Sequence, residues 1–403
     1  MRVAVLGCGA VGSIVARLAL KTQVASDVLC LDRNTERAKS FLDLEDGRGI
    51  PVEEADAIQV DLLAGKLKGF DVVVNSLPTF MRVGEREILL NPLVMEAALK
   101  AGTTYVDMAC YGGRRRRAEQ LALARRFVAE GVLAVINSGA SPGLTNILAR
   151  EAYEDFDRAY SVKIMSLEDQ RGSSFVISWS KEEMLNVATP ALAYRNGKYV
   201  VSEPFAEAAL CDFPEPLGMV RCYSVSNDES YTIPAFLRIR DFSYYAGGSD
   251  IETLRALYRL GVLEDRKVNV RGRTVPLRSI LYQILRGPSG PREVYRAVEE
   301  GYLEDAYFAV KVVVEGEVGG SKAVSTRSVV FPSQRRVNEL LPGATYITYP
   351  TALAVVALIK SLRGRKLSGV YPPEALPGVI RRSVLGELEG HRIFVNEEFR
   401  VLA

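Results

Sequence analysis

Histidine is almost absent from this sequence, because His391 is the single histidine among 403 residues. Dehydrogenases that use a His–Asp pair for proton transfer need a histidine in the active-site cleft, and His391 lies close to the C-terminus. Catalytic-zinc alcohol dehydrogenases need histidine and cysteine ligands together. The scarcity of histidine therefore argues against both classes of enzyme and against a bound metal.

Cysteine is also sparse and dispersed. The five cysteines are odd in number, and no two of them form a C-x-x-C pair. This pattern argues against a disulfide framework and against a structural zinc site. The five residues are Cys8, Cys30, Cys110, Cys211 and Cys222.

The sequence has no long apolar run. None approaches the roughly 18 consecutive apolar residues of a membrane-spanning helix. An apolar strand begins at Arg2, so we expect no signal peptide and a cytoplasmic protein. The formal net charge of +2 argues against a nucleic acid or an acidic membrane as partner. The four arginines at Arg114–Arg117 would point in all directions around a helix, which is typical of a solvated helix start.

A glycine motif stands at the start of the chain, between two apolar runs. Arg2–Leu6 predicts a short strand, and Gly7–Gly12 reads G-x-G-x-x-G and runs into the helical pattern of Val11–Thr22. The second apolar run, Val28–Leu31, ends at Asp32, twenty positions after the last glycine of the motif. A strand, a glycine turn, a helix and a second strand ending in an acid form the dinucleotide-binding fingerprint.

Each part of the motif has a physical role in binding a dinucleotide. The first glycine allows a tight turn, the second lets the backbone approach a pyrophosphate at the helix N-terminus, and the third packs the helix on the strand. Asp32 can bind both ribose hydroxyls and repels a 2′-phosphate, which favours NAD. Arg33 can stack on adenine or pair with that phosphate, so NADP or dual use stays open. The predicted cofactor-binding residues here are Gly7, Gly9, Ala10, Val11, Gly12, Asp32 and Arg33.

Apolar runs and helical segments alternate beyond the glycine motif, which predicts a doubly wound parallel sheet. Asp61, at the end of a predicted third strand, is either an adenine contact or a loop acid. Asn75, Ser76, Leu77 and Pro78 follow the fourth strand and are predicted beside the nicotinamide ribose, the alternative being a turn that ends the strand. The predicted elements are the strands Ala57–Val60, Phe70–Val74, Thr103–Val106 and Val132–Ile136, and the helices Pro92–Ala101 and Arg114–Glu130.

A second loop rich in glycine and proline, Gly139–Asn146, precedes the predicted helix Ile147–Tyr153. Proline and glycine at a helix start leave N–H groups free for an anion. Because this helix start lies on the same edge of the sheet as the first, it could hold a substrate carboxylate. The alternative is a well-capped helix that binds nothing.

The sequence pattern changes from about Asp155. Short alternating runs rich in Tyr, Phe, Val and Thr predict a mainly antiparallel sheet with helices on one face. Capping boxes at Ser180–Glu183 and Ser249–Glu252 predict two helix starts. The apolar segment Thr351–Leu362 predicts a buried helix that returns to the first domain and closes the cleft. The predicted strands are Tyr160–Met165, Phe175–Ser178, Phe236–Asp241, Tyr307–Val314 and Ala323–Val330.

One motif in this half is a coincidence. Tyr194 and Lys198 have the spacing of the Tyr-x-x-x-Lys pair of short-chain reductases. The residues Asn196 and Gly197 between them predict a hairpin turn, so the tyrosine and the lysine would not share a helical face.

Taken together, these segments resemble the saccharopine dehydrogenase-like superfamily, which includes saccharopine reductases, carboxynorspermidine dehydrogenases and lysine 6-dehydrogenases. The resemblance extends over nearly the whole chain, and segment 178–198 is most similar to the lysine dehydrogenase branch. It rests on seven segments in the same order: 3–12, 72–78, 97–109, 137–150, 178–198, 240–263 and 349–374.

The resemblance implies an α/β protein of two domains. An N-terminal Rossmann domain with a doubly wound parallel sheet would cover residues 1–150 and be completed by about 345–403. A second α/β domain with a mainly antiparallel sheet, for substrate binding and dimerisation, would cover 151–344. The implied chemistry is hydride transfer between a nicotinamide and the carbon of a C–N bond, in which the amine's own lone pair drives hydride departure without a metal.

The sequence departs from the family pattern at two places. Saccharopine reductases carry Asp where this chain has Ser141, which weakens a dicarboxylic secondary amine as the substrate. Many members have a Tyr-Pro-Gly-His-like stretch where this chain reads Tyr245-Ala246-Gly247-Gly248. The role of a histidine is lost there, and Tyr244 or Tyr245 is the polar candidate that is left.

Asp107 and Tyr111 are the candidates for proton transfer, because they follow a strand beside the expected nicotinamide position. Desolvation in a closed cleft would raise the pKa of Asp107 toward a useful range. Its alternative role is to cap the next loop, while Cys110 and Trp179 could be packing residues. The predicted substrate contacts are Cys110, Ser141, Gly143, Asn146, Trp179 and Tyr245.

These observations predict an NAD(P)-dependent oxidoreductase of the lysine 6-dehydrogenase or saccharopine dehydrogenase type, acting on an amino acid or amine as a homodimer. A carboxynorspermidine dehydrogenase-like enzyme is the runner-up, and a larger, more basic pocket would favour it. A dinucleotide-binding sensor without turnover also stays open, because a fold alone does not establish catalysis.

Overall fold

The computed structural model describes residues 1–83, 86–110, 114–173, 175–264, 266–285 and 289–402. The first half alternates strands and helices. Its strands are β1 (Arg2–Leu6), β2 (Asp27–Asp32), β3 (Val52–Glu54), β4 (Val72–Asn75), β5 (Phe80–Val83), β6 (Arg86–Leu89), β7 (Thr104–Asp107) and β8 (Leu133–Val135). Its helices are α1 (Gly12–Lys21), α2 (Thr35–Phe41), α3 (Val60–Leu67), α4 (Leu90–Ala101), α5 (Arg114–Ala122), α6 (Ala124–Ala129) and α7 (Leu144–Tyr153).

The second half contains longer strands and shorter helices. Its strands are β9 (Arg158–Gly172), β10 (Ala191–Arg195), β11 (Lys198–Ser202), β12 (Ala208–Phe213), β13 (Gly218–Ser224), β14 (Asp241–Gly247), β15 (Lys267–Val270), β16 (Arg273–Pro276), β17 (Leu303–Val318), β18 (Ser321–Val330), β19 (Gly369–Tyr371) and β20 (Asn396–Val401). Its helices are α8 (Lys181–Asn186), α9 (Glu229–Phe236), α10 (Ser249–Arg259), α11 (Leu277–Ile284), α12 (Pro291–Glu299), α13 (Gln334–Leu340), α14 (Thr348–Leu362) and α15 (Gly378–Gly390).

The first sheet has seven parallel strands in the order β19-β8-β7-β4-β1-β2-β3, which confirms the predicted Rossmann architecture. In the central strand β1, Val3 is in register with Val28 of β2 on one side and with Val72 of β4 on the other. The strands are runs of β-branched and other apolar residues because helices cover both faces of a parallel sheet. The carboxyl ends of the strands therefore meet along one open edge.

The second sheet follows the order β11-β10-β14-β9-β17-β18-β20, and β13, paired with β12, joins it at β14. Its pairs are antiparallel except for β9 with β14, so the prediction of a mainly antiparallel sheet is confirmed. The hairpin between β10 and β11 turns at Asn196 and Gly197. This turn confirms that Tyr194 and Lys198 lie on two strands and not on a helix.

The C-terminal segment serves both sheets. Helix α14 starts at Thr348, three residues before the predicted start, and is buried along almost its whole length. It packs against α1 and α15, while β19 extends the first sheet beside β8. The last strand, β20, pairs with β18 in the second sheet. The segment 345–403 therefore does not belong to the Rossmann domain alone.

Three predicted elements of the chain are wrong. Ala57–Val60 is a loop that leads into α3, because the third strand is the earlier and shorter β3. Phe236 ends helix α9 and Asp241 begins β14, so no strand joins them. Phe175–Ser178 has no regular structure.

Two predicted helices differ in detail. The helix predicted for Arg114–Glu130 is two helices, with Leu123 between them. Ser180 caps α8 as predicted, by accepting from the N–H of Glu183. Ser249 does not cap α10. The N-cap residue is Gly248, with φ of +99°. Ser249 is the first residue of the helix, and its hydroxyl accepts a hydrogen bond from the N–H of Gln170.

A disulfide joins Cys8 of the glycine motif to Cys30 of β2, with the two Cα atoms 5.9 Å apart. Both cysteines are fully buried in the core. The dispersed spacing of the cysteines argued against a disulfide framework and did not reveal this pair, because the glycine loop folds back over the neighbouring strand only in the tertiary structure. The other three cysteines are buried, and none of them takes part in a disulfide with a described residue.

Within the described ranges, the structure contains no helix that combines the length and the apolarity needed to cross a membrane.

Candidate active site

A cavity of about 750 Å³ lies at the carboxyl edge of the first sheet, where the second sheet faces it. The ends of β1, β2 and β4 form one wall. Residues of β9, β14 and α8 form the opposite wall. In a doubly wound sheet this edge is the place where a dinucleotide and its substrate bind.

The glycine motif forms one end of the cavity. Gly7 has φ of +88°, and a Cβ there would lie 2.9 Å from the backbone of Ser76. A Cβ on Gly12 would lie 2.0 Å from the carbonyl oxygen of Gly7, so the helix can approach the strand only without a side chain. A Cβ on Gly9 would meet no protein atom within 4 Å, so the motif leaves open space where a pyrophosphate would approach. The observed loop thus fits a dinucleotide phosphate group at the start of α1.

Asp32 is held at the cavity wall by two backbone donors. The N–H of Cys8 donates to one carboxylate oxygen over 3.0 Å, and the N–H of Asn34 donates to the other over 2.9 Å. Arg33 lines the cavity beside Asp32, as do Ala10 and Val11 of the glycine motif. The structure thus brings these residues together at one end of the cavity, and their contacts with ribose and adenine stay predictions.

Asp61 lies outside the cavity lining. It is in the first turn of α3, its side chain is 87% exposed, and it pairs with Lys100 at 2.6 Å. The predicted adenine contact therefore has no geometric support. Because β3 ends at Glu54, the acid that follows this strand into the cavity is Asp56.

The other end of the cavity begins after β4. Asn75, Ser76, Leu77 and Pro78 all line it, as predicted for the nicotinamide end. The Asn75 side chain donates to the hydroxyl of Tyr105 and accepts from the N–H of Leu77. These bonds hold the turn at the carboxyl end of the strand.

Asp107 is fully buried and does not belong to the described cavity lining. Its Oδ2 accepts hydrogen bonds from Asn91, Tyr105 and Gln120, and its Oδ1 accepts from the N–H of Asn137. Burial raises the pKa of Asp107 to about 6, in the predicted direction. Four donors hold the carboxylate beneath the cavity floor, an arrangement that suits organisation of the loops more than proton transfer.

Cys110 and Tyr111 follow Asp107 closely in the sequence. Cys110 is buried, and its N–H donates to Asp228 over 2.9 Å. Tyr111, the second proton-transfer candidate, lies outside the described residues. Its predicted role stays a prediction.

The second glycine-rich loop contributes one polar side chain to the cavity. Ser141 lines the wall, and its hydroxyl donates to Glu229 over 2.7 Å. Gly143 and Asn146 lie behind the wall, where the Asn146 side chain accepts from the N–H of Gly143 and donates to Glu374. The helix start is thus capped by its own asparagine. A carboxylate beside Ser141 also disfavours a substrate carboxylate there.

The second sheet contributes aromatic residues. Trp179 lines the cavity, as predicted. Tyr244 lines it as well, whereas Tyr245 points to the opposite face of β14 and donates to Glu207. Successive residues of a strand face opposite sides of a sheet, so only one of the two tyrosines can reach the site.

Sequence reasoning missed the charged residues of the substrate half. Four carboxyl groups and one ammonium group line this part of the cavity among the described residues. No motif marks them, because they come from three separate elements, β9, α8 and α9 with its N-cap residue. A capping box at α8 was the only local signal. They are Glu168, Lys181, Glu183, Asp228 and Glu229.

No group of three or more His, Cys, Asp or Glu side chains with the geometry of a metal site occurs in the part of the chain that the structure describes.

Comparison with known proteins assigns the chain to a family. Residues 3–135 match the saccharopine dehydrogenase NADP binding domain, and residues 139–393 match the saccharopine dehydrogenase C-terminal domain. The chain is similar to the carboxynorspermidine synthase of Vibrio cholerae serotype O1, with 20% identity over 74% of this chain and 76% of the relative. It is also similar to the carboxyaminopropylagmatine dehydrogenase of a Synechocystis species, with 22% identity over 73% and 74% of the two chains.

Two solved structures share the fold across the whole chain. The saccharopine dehydrogenase (L-Glu forming) of Saccharomyces cerevisiae matches with a TM-score of 0.68 and 16% identity, over 99% of both chains. The homospermidine synthase of Legionella pneumophila, solved with NAD, matches with a TM-score of 0.67 and 13% identity, over 99% of this chain and 91% of that one.

The two domain matches follow each other in order and lie on the Rossmann sheet and on the sheet that faces it. The chain therefore belongs to the saccharopine dehydrogenase family and is an NAD(P)-dependent oxidoreductase that acts on CH–NH groups.

Proposed function

We propose that this enzyme makes or oxidises the C–N bond of a carboxylated polyamine or of its guanidino counterpart, with NAD or NADP as the hydride carrier. When bound, the nicotinamide exchanges a hydride with the carbon of that bond. The single observation that carries the proposal is the excess of carboxyl groups over cations in the substrate half of the cavity.

Glu168 is the carboxyl group of this set that the described part of the protein compensates least. The Glu168 side chain lines the cavity with no hydrogen-bonding partner among the described residues, and burial together with Asp250 raises its pKa to about 8. Burial also raises the pKa of Asp228 and of Glu229. A cation placed between these groups would favour their charged forms. A substrate with two or more ammonium or guanidinium groups supplies such cations.

Lys181 is the matching site for a substrate carboxylate. Its Nζ donates to the carbonyl oxygens of Tyr282 and Leu285 and lies 3.9 Å from the centre of the Tyr282 ring. An ammonium group has three N–H donors, so the two bonds to described residues leave one donor that could bind a ligand. One cation and four carboxyl groups suit a substrate with one carboxylate and several positive charges.

From the sequence we expect a larger, more basic pocket in a carboxynorspermidine dehydrogenase-like enzyme. The observed pocket matches this expectation in size but not in charge. It is large, but its charged lining in the substrate half is mainly acidic. Since a polyamine is itself a cation, an acidic lining is what attracts it. The acidic pocket therefore supports a carboxylated polyamine as substrate, which is the second hypothesis drawn from the sequence.

The relatives support the same class. One is named a carboxynorspermidine synthase and another a carboxyaminopropylagmatine dehydrogenase. Lysine 6-dehydrogenase activity is the second candidate, because segment 178–198, which resembles that branch, supplies Trp179, Lys181 and Glu183 to the cavity. Lysine carries fewer positive charges than a carboxylated polyamine and would compensate fewer of the carboxyl groups in the pocket.

The test is a substrate panel. Carboxynorspermidine, carboxyaminopropylagmatine, saccharopine and lysine are each offered with NAD and with NADP, and reduced nicotinamide is followed by absorbance. We expect kcat/KM for one of the first two to exceed that for lysine by about tenfold or more. A preference for lysine or saccharopine would overturn the proposal and return the assignment to the other branches of the family.

A matched pair of variants tests the charge argument. Glu168→Gln removes an unpaired carboxyl group from the cavity wall and should raise KM for the cationic substrate more than it lowers kcat. Glu207→Gln changes a carboxyl group on the other face of the second sheet, where Tyr245 and Arg195 already bind it, and should leave KM unchanged. Equal effects of the two variants on KM would contradict the role of Glu168.

A cytoplasmic location and a homodimer also belong to this proposal. Light scattering on the purified protein tests the dimer directly, and a monomer at assay concentration would contradict it.

A further inference from the structure

We propose that Ser141 takes the proton from the substrate nitrogen and that Glu229, behind it, is the final proton acceptor. The two side chains form a relay from the cavity surface into the protein. The inference uses the CH–NH chemistry of the family and holds for whichever amine is the substrate.

The relay begins at the cavity wall. Ser141 is partly exposed to the cavity, and its hydroxyl lies 2.7 Å from Oε1 of Glu229 and 2.8 Å from the hydroxyl of Tyr244. Glu229 is 1% exposed, so a ligand reaches it through Ser141 more readily than directly. The same Oε1 accepts a second hydrogen bond from Thr145 over 2.7 Å. The carboxyl group is thus held in place by two hydroxyl donors.

The hydroxyl groups beside Glu229 can adopt two hydrogen-bonding arrangements, one for the ionised and one for the protonated carboxyl group. With Glu229 ionised, Ser141 donates to Glu229 and accepts from Tyr244. With Glu229 protonated, Glu229 donates to Ser141, Ser141 donates to Tyr244, and Tyr244 donates to Ser166, whose Oγ lies 3.1 Å away. Hydroxyl groups can reverse in this way because each has one donor and two acceptor positions. Both ionisation states of Glu229 are therefore fully hydrogen-bonded.

The chemical step balances in protons and electrons. The substrate ammonium gives a proton to Ser141 Oγ as the Ser141 hydroxyl proton passes to Glu229 Oε1. The nitrogen lone pair that is released forms the C=N bond while the C–H hydride leaves the neighbouring carbon for the oxidised nicotinamide. The products are an iminium ion, reduced nicotinamide and a neutral Glu229. In the reductive direction Glu229 returns the proton through Ser141.

The surroundings of Glu229 favour a carboxyl group that changes its protonation state. Burial raises its pKa, while the hydrogen bonds from Ser141 and Thr145 act in the opposite direction. Asp228 at the N-cap of the same helix, Tyr244 on β14 and Glu374 from the 3-10 turn Pro373–Ala375 face it. None of these groups is a cation, so nothing among them holds Glu229 permanently ionised.

Two other buried carboxyl groups are less suited to this role. Asp107 is outside the described cavity lining and is occupied by four donors. Asp228 lines the cavity, but it accepts from the backbone N–H of Cys110, which cannot pass on a proton as a hydroxyl group does. Glu229 is the one of the three that reaches the cavity through a hydroxyl group.

The test compares Glu229→Gln with Glu374→Gln, a variant of a neighbouring buried carboxyl group that lies behind the cavity wall. Each is assayed in the oxidative direction with whichever amine of the panel gives the highest kcat/KM. We expect Glu229→Gln to lower kcat by about 100-fold or more and to abolish the acidic limb of its pH profile, with the affinity for reduced nicotinamide unchanged. Glu374→Gln should keep the acidic limb. An acidic limb that survives in Glu229→Gln would overturn the proposal.

A second variant keeps the carboxyl group and changes only its hydrogen bonding. Thr145→Val removes one donor to the ionised form of Glu229, so the acidic limb should move to higher pH. Infrared spectroscopy supplies a readout that needs no turnover. A protonated carboxyl band that titrates in the wild type should be lost in Glu229→Gln and should shift to higher pH in Thr145→Val. A band that is unchanged in both variants would refute the assignment, even if the preferred amine proved different from the one proposed.

Discussion

The buried carboxyl group of Asp107 makes the stability of this protein depend on pH in a calculable way. The variant is Asp107→Asn, which keeps the size of the side chain and removes its ionisation. Burial raises the pKa of Asp107 from its ordinary value of 3.8 to about 6, although four hydrogen bonds to the carboxylate act against the rise. Desolvation therefore outweighs the hydrogen bonds in this pocket.

The sign and the size of this pH dependence of stability follow from the pKa values of Asp107 in the unfolded and the folded protein. Between pH 3.8 and about 6 the unfolded chain loses the Asp107 proton while the folded protein keeps it, so the stability falls as the pH rises through this window. Above it, both states are ionised and the folded protein bears a penalty of about 3 kcal/mol. Asparagine does not titrate, so the stability of the variant relative to the wild type should rise by about 2.4 kcal/mol from pH 4 to pH 7, because a small part of the penalty is already present at pH 4.

Denaturant unfolding of both proteins at several pH values measures this difference, because contributions from the other buried carboxyl groups cancel between them. A relative stability that does not change with pH would refute the argument that Asp107 is desolvated. Kinetics of the same variant test its proposed position outside the cavity. A proton-transfer residue should lose about 100-fold or more in kcat, whereas we expect a loss of less than about tenfold.

Three further changes give distinct outcomes. Gly9→Ala places a methyl group where no protein atom lies within 4 Å, so the thermal midpoint should stay unchanged while KM for the dinucleotide rises by about tenfold; an unchanged KM would contradict the pyrophosphate position. Asp32→Ser removes the repulsion of a 2′-phosphate and should move the NADP-to-NAD ratio of kcat/KM toward NADP by about tenfold, and a constant ratio would show that Asp32 does not select the cofactor. Arg381→Ala leaves Glu151 and Glu154 without their buried partner and should lower the free energy of unfolding by about 3–5 kcal/mol. Calorimetry measures this loss, and a loss below about 1 kcal/mol would contradict a buried network.

The cofactor end of the site could be predicted from sequence because its parts are local. Gly7 to Asp32 form one strand–turn–helix–strand unit, and each residue's role depends on neighbours within that unit. The prediction failed at Asp61 because β3 has only three residues, too few to show a period. It placed Tyr245 among the substrate contacts because that residue begins the stretch that resembles the family pattern, whereas the alternation of side chains along β14 brings Tyr244 to the cavity.

The substrate end could not be predicted in the same way. Glu229 in α9 and Ser141 in the second glycine-rich loop are 88 residues apart, and Glu168 comes from strand β9. Carboxyl groups are common on protein surfaces, so a glutamate in an unremarkable sequence gives no sign that it will be buried. The pairing of Cys8 with Cys30 was hidden for a related reason, since it needs the glycine loop to fold over β2.

The amino-acid sequence by itself determined the Rossmann unit, the dinucleotide, the mainly antiparallel second sheet and the family, because periodicity and motif spacing depend on contacts between near neighbours in the chain. Only the tertiary structure decided which carboxyl groups face the cavity and which lie behind it. That choice depends on how two sheets far apart in sequence meet, and on which side chains their contact removes from water.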